Sequence, residues 1–281
     1  MRLLNNFLIY FNTLNKLSCQ KLFYRRSAIR FFRILIRMTR KQLMQIPSET
    51  KQKEFWNDWV CRSFTWENNP DNRRRGYYVI SEVVKRQNPG LKILDVGCGS
   101  GWLSLELKKY GEVTGTDFSQ KAIEKLKSNH CGAKWIAGDF ISIELPEKYY
   151  DIVTCLETIA HVPDQRAFAE KIAKVTKREG YLLLTTQNEY VWSRSNSLTS
   201  RGEGQIRNWP SRKRLIDLFA LNFSIQKLFT CAPGGDRGLP WVFNNRISNR
   251  LLNSVFGEER YIRIRERIGL GKSLVLVGQR F

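Results

Sequence analysis

From residue 91 onward the chain alternates short apolar runs with amphipathic stretches, and this rhythm restricts the fold more than any other feature of the sequence. "KILDV" (92–96), "EVTGT" (112–116), "KWIAG" (134–138), "YDIVTC" (150–155) and "YLLLTT" (181–186) read as buried strands bounded by turn residues. Residues 101–110 read as a helix. Ser119 caps a second, with Ala122, Ile123 and Leu126 on one face. A third follows Pro163-Asp164, carries Phe168, Ile172 and Val175 at helical spacing, and is expected to end at Gly180. Strand–helix alternation of this kind predicts an α/β fold: a doubly wound, mostly parallel sheet with helices on both faces.

Outside this core the reading is coarser. Residues 49–90 are expected to form two helices that cover the site. Phe55, Trp56 and Trp59 give the first an aromatic face, and Tyr78, Val79, Val83 and Val84 line the second. "NPDNRRR" (69–75) between them reads as exposed. After the fifth strand come a polar loop (188–210), a helix (211–222) and two last strands (223–229 and 273–281). They are separated by an insertion (231–272) that opens with "CAPGGDRGLPW". Within it, "RYIRIRER" (260–267) alternates charged with apolar or aromatic residues, as a strand edge does. Segment 246–272 has seven basic residues against three acids. It reads as a solvated face, or as one that meets an anionic substrate or a membrane.

Charge is unevenly spread. The formal net charge is +21, but residues 1–48 hold ten Lys or Arg and no acid, leaving 37 basic against 26 acidic residues elsewhere. Three readings of 1–41 stand: an amphipathic helix on an anionic membrane, an organelle presequence, or a stretch ahead of a true start at Met38 or Met44. No run of about 18 apolar residues exists, so no spanning helix is expected. A cytoplasmic protein, peripheral to a membrane at most, is the resulting expectation. Six scattered cysteines without paired spacing argue against a disulfide framework or zinc cluster.

The chemistry is concentrated in "LDVGCGSGW" (94–102), where a strand ends in Asp95 and Gly97, Gly99 and Gly101 open the next helix. The dinucleotide spacing G-x-G-x-x-G fails in both registers, since Trp102 or Ser104 stands at the last position. No Gly-Lys-Ser/Thr follows at the needed spacing, which removes a phosphate loop. Asp95 would repel a pyrophosphate but suits an ammonium group. S-adenosylmethionine, with an amino-acid end, a sulfonium and an adenosine, is such a ligand. Asp117, 22 residues on, is placed to accept both ribose hydroxyls, with Phe118 beside the adenine. Asp139 and Phe140, after the third strand, are expected at the adenine amino group and ring.

These segments, with "CLETIAHVPD" (155–164) and "GYLLLTTQN" (180–188), resemble the successive motifs of class I S-adenosylmethionine-dependent methyltransferases. They are most similar to the small-molecule O-methyltransferases of ubiquinone biosynthesis. The resemblance runs from Leu91 to Phe281. It implies a Rossmann-like, seven-stranded sheet with an antiparallel last strand, S-adenosyl-L-methionine as cofactor, and Asp95, Gly97, Cys98, Gly99, Gly101, Trp102, Asp117, Phe118, Asp139, Phe140 and Leu156 around it. It implies a small-molecule or lipid- or sugar-linked acceptor, methylated at oxygen, near Glu157, Thr158 and His161. Such relatives often carry E-x-x-E-H after strand four, and some hold a divalent metal there. Here Ala160 replaces the second carboxylate, so metal-independent activity is expected.

Several roles stay open on sequence. His161 is either a general base or a residue that shapes the pocket. Methyl transfer from a sulfonium is a one-step displacement in which orientation can supply most of the rate. Trp192, Trp209 and Trp241 form either an aromatic acceptor pocket or a satellite core. Phe55, Trp56 and Trp59 form either a lid or simple packing. His130 reads as a surface helix end. An RNA methyltransferase is the second functional reading, set back because no RNA-binding module accompanies the basic charge. A non-catalytic membrane-associated scaffold is the third.

Overall fold

The computed structural model describes residues 46–62, 69–86, 88–196 and 201–281. The readings of residues 1–41, and of a start at Met38 or Met44, lie outside the described residues. Two helices, α1 (Glu49–Arg62) and α2 (Pro70–Val84), precede the sheet. Asn69 caps α2 by accepting the Asp71 N–H, and Pro70 supplies a pre-set first turn. The segment 69–75 is therefore the start of a helix and is not wholly exposed: Asn72 and Arg75 are buried. Val84, expected on the inner face, points outward instead.

The core strands are β1 (Leu91–Val96), β2 (Gly111–Asp117), β3 (Lys134–Ala137), β4 (Tyr150–Leu156), β5 (Thr176–Gln187), β6 (Phe223–Pro233) and β7 (Gly271–Arg280). Helices α3 (Trp102–Leu107), α4 (Gln120–Asn129), α5 (Gln165–Val175), the short α6 (Glu189–Trp192) and α7 (Arg212–Phe219) connect them. The sheet order is β3-β2-β1-β4-β5-β7-β6. The pairs β3–β2, β2–β1, β1–β4 and β4–β5 are parallel, and β7 runs antiparallel to both β5 and β6. The expected Rossmann-like, seven-stranded sheet with one antiparallel last strand is the observed one. Alternation along each strand feeds two cores. Leu94, Leu182 and Leu184 face α5 and α7, while Ile93 and Leu183 face α2 and α3.

Two expectations are corrected. The third helix stops at Val175, and residues 176–180 already belong to β5, whose pairing with β4 shifts register between Tyr150 and Ile152. Gly180 sits in that irregular start of the strand, where its backbone crowds Asp151 and Lys177, and does not cap a helix. The insertion forms three helices: α8 (Gly238–Asn244), α9 (Arg246–Phe256) and α10 (Glu258–Arg267). The alternation of 260–267 is thus helical, with Tyr261, Arg265 and Glu266 turned inward. A short alternating run fits a strand edge or a helix face equally well, and tertiary packing decided here. Among the described residues no helix is long and apolar enough to cross a membrane.

Candidate functional site

Strand order reverses between β1 and β4, so the loops at their carboxyl ends diverge and leave a crevice. A cleft of about 660 Å³ opens there, within the ~300–1,000 Å³ usual for small-molecule sites. Fifteen of the sixteen side-chain and backbone positions other than Gly101 that the sequence singled out for cofactor or acceptor line it, the exception being Trp241.

The Gly-rich loop divides its labour. Gly97, Gly99 and Gly101 all hold the left-handed backbone (φ 75°, 54° and 79°) that glycine adopts without penalty. A methyl group on Gly97 would strike the Thr158 side chain, and one on Gly101 would strike Leu126 of α4. A methyl on Gly99 would meet nothing within 4 Å. Gly99 therefore leaves bare backbone at the cleft wall. Gly101 is not among the residues that line the cleft; its lack of a side chain lets the loop pack on Leu126 of α4.

The acids sit at strand ends as expected. Asp95 is 2% exposed; Ser104 Oγ donates to its Oδ2 at 2.5 Å and Thr154 Oγ1 to its Oδ1 at 2.8 Å. Burial pushes its pKa up to about 6 against the pull of those two hydroxyls. Asp117 Oδ2 accepts the Gly99 N–H and Oδ1 accepts the Ser119 N–H, each at 2.8 Å, and burial raises its pKa. Each oxygen keeps a lone pair for a ligand hydroxyl. Asp139 closes the turn after β3, accepting from Ile141 N and Ser142 Oγ. Phe118 and Phe140 flank this end, Phe140 packed edge-on to Phe168 with ring centres 5.1 Å apart.

The other end is built from distant segments. Trp56 and Trp59 of α1 line the cleft, whereas Phe55 packs on Gly202 and Gly204. Asn57 holds α1 in place by accepting from Ser119 Oγ at 2.8 Å. Trp56 meets the His161 ring at 4.9 Å, and Trp192 lies 5.9 Å from Trp209. His161 Nδ1 is 2.7 Å from the Ile206 carbonyl, which fixes the proton on Nδ1 and leaves Nε2 as an acceptor facing the Gln187 amide nitrogen at 3.4 Å. Burial pushes the His161 pKa down to about 4. Trp241 is absent from this group: it lies on α8, 54% exposed.

Sequence reasoning missed several cleft residues. Arg75 is buried, donates to Ser273 Oγ at 3.1 Å and bonds Asn72, and its Nε lies 3.6 Å from Glu157. Glu157 also accepts from Thr185 Oγ1 at 2.9 Å and holds a positive φ of 58°. Neighbouring Arg74 is locked to Glu266 of α10, which fixes α2 and hence Arg75. Gln187, Gln205 and Arg207 complete the wall. Among the described residues, Gln187 Oε1 and Trp192 Nε1 are buried without a hydrogen-bond partner. Such atoms are costly to leave unpaired, so a ligand with polar groups fits this end. Nothing in a single sequence marks an Arg that turns inward; at this end the sequence pointed to Glu157, Thr158, His161, Trp192 and Trp209, and to Trp56 and Trp59 as lid or packing.

Ala160, where relatives carry a carboxylate, is fully buried in the core. Among the described residues no three His, Cys, Asp or Glu side chains lie close enough together to hold a metal ion.

The donor set suits S-adenosylmethionine: carboxylates for an ammonium group and for ribose hydroxyls, aromatic rings beside them, and a loop with no side chain at Gly99. Residues 94–184 match the family model described as a methyltransferase domain. The chain is 36% identical over 103 residues to the ubiquinone biosynthesis O-methyltransferase of Nitrosomonas europaea, covering 34% of this chain and 43% of that one. It is 36% identical over 138 residues to the enzyme of the same name from Idiomarina loihiensis, covering 44% and 56%. The chain thus spans about half the length of the curated relatives it matches. Among solved structures, an N-methyltransferase from Bradyrhizobium japonicum WM9 in complex with S-adenosyl-L-homocysteine superposes with a TM-score of 0.58 at 13% identity, over 82% of this chain and 98% of that one. A protein from Pyrococcus horikoshii OT3 superposes at 0.55 with 18% identity, over 80% and 99%. These structural likenesses are likenesses of fold.

Proposed function

We propose that this chain is an S-adenosylmethionine-dependent methyltransferase acting at oxygen on a small-molecule or lipid- or sugar-linked acceptor. The observation that carries the reading is the gathering of Asp95, Asp117 and Asp139, from three strand ends, around the bare backbone of Gly99 in one cleft. When bound, the cofactor supplies an electrophilic methyl group on a sulfonium sulfur. Asp117 would take the ribose hydroxyls, Phe118, Asp139 and Phe140 the adenine, and Asp95 the ammonium end. Loss of the positive charge on methyl transfer leaves the acids of the cleft holding the product less well than the cofactor.

At the acceptor end, Trp56, Trp192 and Trp209 exclude water and hold an apolar body, while Gln187 Oε1 and Trp192 Nε1 fix its polar groups. His161 enters as a neutral hydrogen-bond acceptor through Nε2, where a substrate hydroxyl replaces the long 3.4 Å contact from the Gln187 amide. A base with a pKa of about 4 is poorly matched to a hydroxyl proton, so His161 orients the acceptor, and the hydroxyl proton leaves to solvent water as the methyl group passes from sulfur to oxygen. Orientation carries the reaction, as a one-step displacement allows.

Titrating the full chain with S-adenosylhomocysteine by calorimetry, with Asp117→Ala alongside, tests the reading. One-site binding that is lost in the variant is expected. A folded protein that binds no S-adenosylhomocysteine overturns it.

A further inference from the structure

Large apolar side chains left exposed among the described residues concentrate in one place, the first two helices of the insertion. Leu239, Trp241 and Val242 on α8 are exposed, and so are Ile247, Leu251 and Val255 on α9. The last three are spaced i, i+4, i+8, so they form one stripe along α9, at 72%, 59% and 71% exposure. No residue of α9 is fully buried. The helix is nevertheless well specified locally: Asn245 caps it by accepting the Ile247 and Ser248 N–H groups. Its register is therefore set before any partner arrives, and the stripe is presented on a formed helix.

The charges beside the stripe decide what it fits. From Gly238 to Gly257 there is no acid, and Arg246 and Arg250, one turn apart, flank the apolar row. Among the described residues neither guanidinium is in an ion pair. On α10, Glu259 is already held by Arg74 and Arg263. A protein groove that swallowed the stripe would desolvate both guanidinium groups with it. A bilayer takes the aliphatic row into the acyl boundary while the two Arg reach phosphate oxygens and Trp241 sits at headgroup depth.

We propose that α8 and α9 form a docking face for an anionic phospholipid surface, distinct from the basic residues 1–41. The face is also coupled to the cleft. The Asp236 and Arg237 N–H groups both donate to the Arg194 carbonyl at 3.1 Å, and Gly235 packs on Val191 of α6, the helix that carries Trp192. Docking thus brings the membrane next to the segment that walls the acceptor end, and it holds whether or not the cleft transfers methyl groups.

The test is sedimentation of the full chain with vesicles of phosphatidylcholine alone and of equal parts phosphatidylcholine and phosphatidylglycerol. Wild-type protein partitions onto the anionic vesicles. Replacing the stripe (Ile247→Ser, Leu251→Ser, Val255→Ser) lowers the partition coefficient at least about ten-fold. Arg246→Gln with Arg250→Gln reduces the preference for anionic over neutral vesicles. All three stripe residues are exposed, so the variant keeps the wild-type melting temperature, which is measured alongside. Undiminished partitioning of the stripe variant overturns the proposal and assigns the binding to another part of the chain. So does an absence of wild-type partitioning. A wild-type dimer that the stripe variant converts to monomer, with no vesicle binding, overturns it in favour of a contact between copies.

Discussion

The two ends of the cleft are built in different ways. At the cofactor end, each functional residue sits at the end of its own strand or in the loop that leaves it, so Asp95, Asp117 and Asp139 are placed by the parallel pairing of β1, β2 and β3 alone. At the acceptor end, α1, α2, the end of β5 and the 205–209 segment must all arrive before a wall exists. The matched family stretch, 94–184, contains the first end and, of the second, Glu157, Thr158 and His161, while Trp56, Arg75, Gln187, Trp192, Gln205, Arg207 and Trp209 lie outside it. A fold can therefore keep its cofactor chemistry on the sheet while the acceptor wall is supplied by additions at both ends of the domain. The sheet is the fixed half of the site and the additions are the half free to differ.

The sharpest way to break this division is Gly99→Val. The new Cβ meets no heavy atom within 4 Å, and its left-handed φ costs about 1–2 kcal/mol of stability. It occupies the bare wall, so S-adenosylhomocysteine affinity should fall about 100-fold or more while the protein stays folded, as calorimetry and thermal melting would report. Gly101→Val should do the reverse, lowering the melting temperature through its clash with Leu126. If both variants lose only stability, the loop is structural and the cofactor end has been misplaced.

Trp192→Ala probes the other half. Removing an indole that walls the acceptor end should raise the acceptor KM about ten- to thirty-fold, and leave S-adenosylhomocysteine affinity within about two-fold. Equal losses on both ligands would mean that the two ends are not separable.

How much of this was legible in the sequence follows the same line. The cofactor end was legible because the spacing from Gly97 to Asp117 to Asp139 is a local consequence of strand, turn and helix lengths. Gly101 shows the limit: a glycine that spares a ligand and one that spares Leu126 look alike until α4 is docked. At the acceptor end, the run "NRRR" reads as solvated charge, yet the helix started by Asn69 turns Arg75 inward to Glu157. Trp209 and Trp241 are indistinguishable in sequence, and only packing puts one in the cleft and the other on the surface.

The cofactor end also carries a pH signature that the acceptor end should lack. The pKa of Asp95 is raised to about 6, so it is mostly ionised at pH 7 and mostly protonated at pH 5. The ligand's ammonium group stays charged throughout, and it is attracted only to the carboxylate. Affinity for S-adenosylhomocysteine should therefore fall as pH drops through 6, by about ten-fold between pH 7 and pH 5. Asp95→Asn should bind more weakly and flatten the dependence. A wild-type affinity flat across this window would show that Asp95 only ties β1 to Ser104 and Thr154.

His161 should give the smallest effect, although it is the residue a mechanistic reading of the sequence reaches first. A general base typically contributes ~10²–10⁴ in rate. His161 has its Nδ1 proton committed to the Ile206 carbonyl and a pKa lowered to about 4, so at pH 6 and above it is already neutral and no titration of its own remains to be seen. What it loses on replacement is one acceptor, Nε2, with its 3.4 Å contact to the Gln187 amide, the Nδ1 bond to the Ile206 carbonyl, and its contact with the Trp56 ring. His161→Ala should accordingly lower kcat less than about ten-fold, without moving any inflection in the pH–rate profile between pH 6 and 9. Because no cluster of three metal-binding side chains stands beside it among the described residues, chelator should leave the rate unchanged in both proteins. A drop of about 10³ with a shifted alkaline limb would make His161 the base after all, and would mean that the bound acceptor raises its pKa; rate lost to chelator and restored by magnesium would mean that Glu157 and His161 hold a metal without a second carboxylate.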